Sequence, residues 1–110
     1  QEKLELEGRS YLFAHAMTFP PGKWKKKDHY LMGGQDYERF ARDGFPGYIS
    51  FCGHSNTSDF AVFPGRYLDE ENSSVWRNEK GNVYMMDCGC GFADGRLACM
   101  CLESGERFYE

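Results

Sequence analysis

Long hydrophobic runs are missing from this sequence. No stretch approaches the roughly 20 apolar residues a helix needs to cross a bilayer. The first segment alternates charge with leucine, unlike a secretory leader. Positive charge is not in excess either: thirteen Lys and Arg stand against seventeen Asp and Glu, for a net charge of -4. That argues against an extended electrostatic grip on nucleic acid. Neither an internal repeat nor a low-complexity tract occurs. What is present is apolar and aromatic, at 41% and 16% of residues, which excludes a disordered composition. A length of 110 residues makes one domain, or one piece of a larger one, near the small end for burying a core alone. The chain opens on Gln1 and not Met, which fits a processed or excerpted polypeptide.

The five cysteines, at 52, 88, 90, 99 and 101, are odd in number. Without a secretory signal they read as reduced thiols of a cytoplasmic protein. Four form two Cys-x-Cys pairs, and residues i and i+2 of a strand share a face. Each pair, if extended, sets two small apolar thiols side by side.

Alternation over Lys3–Leu6, the turn signal Glu7-Gly8 and the apolar Tyr11–Ala14 predict a hairpin that runs straight into His15. Pro20-Pro21-Gly22 breaks regular structure, and Trp24–Asp28 carries three lysines, read as a solvated loop or a steering patch for anions. The best helix spans Gln35–Asp43. Asp36 is its cap candidate, Tyr37, Phe40 and Ala41 fall on one face, and Gly44 is its stop. Tyr48–Cys52 reads as a buried strand ending at Gly53-His54. Ala61–Phe63 suggests a short strand, and Pro64–Asn82 a polar excursion or long loop. Val83–Asp87 is the next strand, Cys88–Gly95 must bend, and Arg96–Leu102 and Arg107–Tyr109 close an antiparallel meander. The fold class is α+β, a mostly antiparallel sheet with one main helix.

Two of the three histidines, His15 and His54, share one context: each follows the C-terminal end of an apolar strand at the mouth of a loop. Ligand-bearing loops emerge at such ends, and imidazole is the commonest side-chain metal ligand. In adjacent strands the two would meet at one ion. The alternative is that each only caps its strand with a hydrogen bond. His29, beside the lysines, has no such context and reads as a surface residue.

Three local sequences carry a resemblance. Tyr11-Leu12-Phe13-Ala14-His15-Ala16 resembles the strand-His-Ala element of calcineurin-like metallophosphoesterases. Tyr48 to Ser55, with Gly53-His54-Ser55 at its end, resembles their strand-Gly-His-Thr element. Val83 to Leu97, with Asp87-Cys88-Gly89-Cys90 and Gly95-Arg96-Leu97, resembles their closing segment. The nearest branch looks like the bacterial serine/threonine-phosphatase and symmetric diadenosine-tetraphosphatase type. The order of the three elements is the family's, over essentially Lys3 to Tyr109.

The resemblance implies the C-terminal half, residues 1–110, of a four-layer α/β/β/α sandwich. It implies hydrolysis of phosphate esters by a water activated between two divalent ions, Mn, Fe or Zn. It also implies that His15 and His54 ligate the same ion. The family's Gly-Asp-x-His, Gly-Asp-x-x-Asp-Arg and Gly-Asn-His-Glu/Asp motifs are absent, and with them the remaining ligands and the general-acid His. The resemblance thus implies part of a phosphatase: this chain is inactive alone, its catalytic set is incomplete, and the two ions belong to the complete enzyme and need not be bound by this chain alone. Its partners would be the missing N-terminal half, or a second copy across an exposed sheet, and a phosphorylated substrate, with no nucleic acid and no membrane.

A phosphate-binding Arg is not registered between the two histidines, where Tyr30–Gly34 carries none and Arg39 and Arg42 lie on the helix. Asn56 stands where broader relatives carry a further His. Asp87 is read first as a turn residue shaping the loop to Gly91, and Gly53 as serving the turn that presents His54.

Two rivals come from other classes. One is a binding module with zinc on Cys88, Cys90, Cys99 and Cys101, although Cys-x2-Cys is the usual knuckle spacing and core packing is the preferred reading of these thiols. The other is a degenerate, non-catalytic half whose aromatics, including Tyr11, Phe13, Phe51, Phe60 and Phe92, leave apolar surface exposed.

Overall fold

The computed structural model describes residues 1–23, 25 and 34–110, and of residues 34–37 only the backbone. His29, Lys26, Lys27 and most of Tyr30–Gly34 lie outside the described residues. The fold is a small mixed α+β domain dominated by strands.

Alternation and turn chemistry build the first hairpin. β1 (Glu2–Leu6) pairs antiparallel with β2 (Arg9–Ala14), from Glu2 opposite Phe13 to Leu6 opposite Arg9. The two turn residues Glu7 and Gly8 both have positive φ, 52° and 77°, the two-residue turn that matches strand twist. Helix α1 (Gly34–Asp43) follows as expected. Phe40 and Ala41 are buried, and Gly44 closes the helix with φ 59°, its amide N–H donating a hydrogen bond to the Phe40 carbonyl at 2.8 Å. Asp36 lies inside the first turn and not before it.

β3 (Ile49–Cys52) lies beside β2, and β6 (Val83–Met85) beside β3, both parallel. β4 (Gly65–Tyr67) and β5 (Trp76–Asn78) complete a six-stranded sheet in the order β1-β2-β3-β6-β5-β4. Antiparallel pairs are the majority, but the centre of the sheet is parallel.

Three expectations are corrected. Ala61–Phe63 is not a strand: Thr57–Val62 forms a 3₁₀ helix whose Asn56 cap accepts the Ser58 amide. Pro64–Asn82 is not a long loop. It holds β4 and β5, and Trp76 and Asn78 there are among the most buried residues. Strands of three residues are too short for alternation to register. The closing meander also divides, because β7 (Ala98–Met100) and β8 (Arg107–Tyr109) form a separate two-stranded sheet.

The core lies on the helix side of the large sheet. Met17, Phe40, Ala41, Cys52, Phe60, Trp76, Val83 and Met85 form one buried cluster, with Phe60 against Trp76 at 5.2 Å between ring centroids. Burying such side chains contributes about 1.5–3 kcal/mol each. Buried Asn78 is fully bonded within it. Its amide donates to the Arg42 carbonyl and to Asn82 Oδ1, and its Oδ1 accepts from the Asn82 and Val83 amides. That residue fastens the β5–β6 turn to the end of α1.

The opposite face carries Tyr11, Phe13, Phe51 and Tyr84, stacked in sequence across β2, β3 and β6. Tyr11 and Phe51 are buried, Phe13 is half-buried, and only Phe92, at 74% exposure in the Gly89–Gly95 loop, is openly displayed among the five aromatics named above. Of the described residues, no helix is long and apolar enough to cross a membrane.

Candidate metal centre

Parallel pairing of β2 and β3 sets their C-terminal ends side by side, since Ala14 is opposite Cys52. The next residues, Gly53 and His15, are joined by a hydrogen bond from the Gly53 amide to the His15 carbonyl, 3.0 Å. The sequence therefore needed only apolar β-formers in both strands to bring the two histidines together. His15 Nε2 lies 2.8 Å from His54 Nδ1, with the rings edge to face at 61° and both side chains exposed to solvent.

The two facing nitrogens are within hydrogen-bond distance, either one able to donate according to its tautomer. Two nitrogens bound to a common ion at about 2.1 Å stand about 3.0–3.4 Å apart. Opening the pair by a few tenths of an ångström is within side-chain torsion, so these residues fit as two ligands of one ion. They do not make a full set. Among the described residues no three His, Cys, Asp or Glu side chains converge to hold an ion.

His54 is held in an unfavourable backbone conformation. Its φ is 68°, and the Ser55 amide donates to the Gly53 carbonyl at 2.8 Å across it. A positive φ closed by an i to i+2 bond is a strained three-residue turn. Such strain costs of order 1–3 kcal/mol and concentrates at functional sites. The turn was expected, but with Gly53 as its conformationally special residue. Instead Gly53 supplies hydrogen bonds, a Cβ there would make only ordinary contacts with the His15 carbonyl at 3.5 Å and Asp87 Cβ at 4.0 Å, and His54 carries the positive φ.

The loop beside the pair is built by Asp87. Its carbonyl accepts the Thr57 amide at 2.8 Å, and its Oδ1 accepts the Gly89 amide at 3.0 Å. That is the turn-shaping role expected for this residue. The loop is pinched at its base: a Cβ on Gly95 would sit 1.6 Å from the Gly89 carbonyl oxygen, and one on Gly89 would lie 2.7 Å from Asn56 Nδ2. Only glycines permit this approach. Asn56 is thus occupied as a helix cap and as a wall of the loop.

Beside His15 opens a shallow cleft of about 480 Å³, lined by Phe13, Phe51, Met86 and Gly53, with Gln1 and Glu2 at its rim. Arg42 is engaged with Asp43 at 3.0 Å, and Arg39 is exposed. Lys25 is exposed as well.

The cysteines do not all pack in the core. Cys52 and Cys88 are buried, Cys90 and Cys99 are exposed, and Cys101 is half-buried with its thiol against the Glu103 carboxylate. Two reasons account for the difference. Cys88-Gly89-Cys90 turns with Gly89 at φ 80° and is not extended, and Cys99 lies on the outward face of β7 opposite exposed Phe108. Burial pushes the Cys52 thiol up to about 12 and the Cys88 thiol above its ordinary value. Neither is a ready thiolate.

Away from the histidines, a second polar group ties the C-terminal sheet down. Arg107 binds Asp69 through Nε at 2.6 Å and NH2 at 3.0 Å, Tyr109 donates to the same carboxylate, and the Arg96 guanidinium lies 4.1 Å from the Tyr109 ring centroid. The hydrogen bonds from Arg107 hold the Asp69 carboxyl below the usual carboxylate range. Sequence reading missed this clamp, since nothing local links residues 38 and 40 positions apart. No protein-family model, no curated protein and no solved structure matches this chain.

Proposed function

We propose that this chain is the C-terminal half of a calcineurin-like metallophosphoesterase, of the serine/threonine-phosphatase or symmetric diadenosine-tetraphosphatase type. It contributes two imidazoles to one ion of a dinuclear centre that hydrolyses phosphate esters. The observation that carries the reading is the 2.8 Å approach of His15 Nε2 to His54 Nδ1 at the ends of adjacent parallel strands. The positive φ of His54 adds to it, because glycine would serve that turn at less cost.

When bound, the divalent ions neutralise phosphoryl charge and lower the pKa of a metal-bound water. The chain's own contribution is positional. Gly53 ties the two strand ends, the three-residue turn aims His54 at His15, and the Asp87 loop braces that turn through Thr57. Both imidazoles are neutral as ligands, so they fix geometry without cancelling the positive charge a phosphate needs. The remaining ligands and the general acid come from an N-terminal half, which also packs against the aromatic face of the sheet. A parallel centre with apolar residues on both faces is a sheet normally covered on both sides. The ions are Mn, Fe or Zn, and the compartment is the cytoplasm.

The test is hydrolysis of p-nitrophenyl phosphate by the longer parent protein, with and without Mn²⁺. Metal-dependent turnover that falls at least about a hundredfold in His54→Ala, with loss of one bound ion, supports the reading. Unchanged metal content and turnover in that variant would remove His54 from the site.

A further inference from the structure

The face of the sheet that carries the aromatic row continues past Tyr84. Residues directly opposite on neighbouring strands share a face, and Tyr84 is opposite Arg77, which is opposite Arg66. The Arg66 and Arg77 side chains therefore leave the same face of β4 and β5 from directly opposite positions. Like charges in that relation repel. Among the described residues neither has an ion-pair partner. The Arg77 Nε atom is buried and has no hydrogen-bond acceptor, and a buried N–H left without an acceptor is costly.

Both arginines line one surface cavity of about 370 Å³, with Gly65, Asn78 and Glu79. The Arg77 guanidinium lies beside Gly81: a Cβ there would sit 4.0 Å from Arg77 Cζ and Nε. Glu79 is exposed and pairs with neither guanidinium. The site is at the β4–β5 flank, with β6 and β3 between it and the strand that ends at His15.

We propose that Arg66 and Arg77 form a binding site for a doubly charged oxyanion, either inorganic phosphate or the phosphoryl group of a small phosphomonoester. A dianion seated in the cavity offsets the repulsion between the two cations, and a small shift of the Arg77 side chain toward it gives the Nε–H the acceptor it lacks. Guanidinium groups match phosphoryl oxygens with paired, charge-assisted hydrogen bonds. The cavity is roomier than one phosphate needs, which admits a small organic group beyond the phosphoryl oxygens. This inference does not depend on the histidine pair being a metal site.

The experiment is a titration of the whole chain with inorganic phosphate, and separately with glycerol 1-phosphate. It is run in EDTA at constant ionic strength, following the arginine Nε–Hε resonances by NMR. The expected result is a saturable shift of the Arg77 resonance, with affinity reduced at least about tenfold in Arg66→Gln. Arg66 is exposed, so that variant keeps the fold even where Arg77→Gln does not. Tighter binding of glycerol 1-phosphate identifies a phosphomonoester as the ligand, and equal or weaker binding identifies free phosphate. The proposal is overturned by no saturable shift up to about 20 mM, where a site with a Kd near 1 mM is nearly full. It is overturned equally by unchanged affinity in Arg66→Gln, or by loss of binding in His15→Ala/His54→Ala, which would place the anion at the imidazoles.

Discussion

Replacing His54 by glycine and by alanine separates what its side chain does from what its backbone endures. Both variants remove the imidazole and its 2.8 Å contact with His15, so that loss cancels between them. What differs is the fit to φ 68°. An L-residue in the left-handed region costs about 1–2 kcal/mol. Glycine escapes that cost, but loses about 0.5–1 kcal/mol more conformational entropy on folding than alanine. The difference leaves His54→Gly more stable than His54→Ala by up to about 1.5 kcal/mol, and by about 0.75 kcal/mol at the middle of both ranges. At a position with ordinary negative φ the order reverses. For a domain of this size, with a urea m-value near 1.5 kcal/mol/M, the gap is about 0.5 M in midpoint at mid-range and about 1 M at most. Equilibrium urea denaturation of the two variants, with tryptophan fluorescence as the signal, measures it. A His54→Gly midpoint below that of His54→Ala would refute the strained turn. The argument that an imidazole is kept there against the backbone's preference would fall with it.

Three further outcomes are expected. Asn78→Ala leaves the buried Val83 amide and the Arg42 carbonyl without their partner, and urea denaturation should show a loss of about 2–4 kcal/mol. The Asp69 clamp gives an acid limb. Because Arg107 lowers the folded pKa of Asp69 below its unfolded value, the stabilisation is complete above the ordinary Asp range. It is lost as pH falls through the lowered folded value, so urea midpoints measured from pH 5 to pH 2 should fall less steeply in Asp69→Asn. Native-state labelling with a thiol reagent at pH 8, read by mass spectrometry, should modify Cys90 and Cys99 and spare Cys52 and Cys88.

Much of the fold was legible where local signals agree. The β1–β2 hairpin was readable because alternation and Glu7-Gly8 point the same way. Helix α1 was readable because Phe40 and Ala41 repeat on one face and Gly44 ends it. The meeting of His15 and His54 was legible as far as each follows an apolar strand, while the parallel pairing that brings those strand ends together was not. Elements whose reasons are tertiary were not legible. β4 and β5 have three residues each, and what makes them strands is Trp76 packing on Phe60 and Asn78 bonding to the end of α1. The place of the separate β7–β8 sheet is fixed by Asp69 gripping Arg107 and Tyr109 from far along the chain. The Cys-x-Cys pairs misled because i, i+2 geometry holds only in an extended segment, and Gly89 turns the first pair. The adjacency of Arg66 and Arg77 was hidden for a similar reason, since only strand register makes neighbours of residues 11 apart.

The most direct test of the central claim is titration of the isotopically labelled chain with Mn²⁺, whose unpaired electrons broaden nearby NMR signals. Two ligands do not complete a site, so the account predicts weak binding whose broadening still centres on the imidazoles of His15 and His54, and which His54→Ala removes at His15. Broadening centred elsewhere, or at His15 to the same degree without His54, would contradict it.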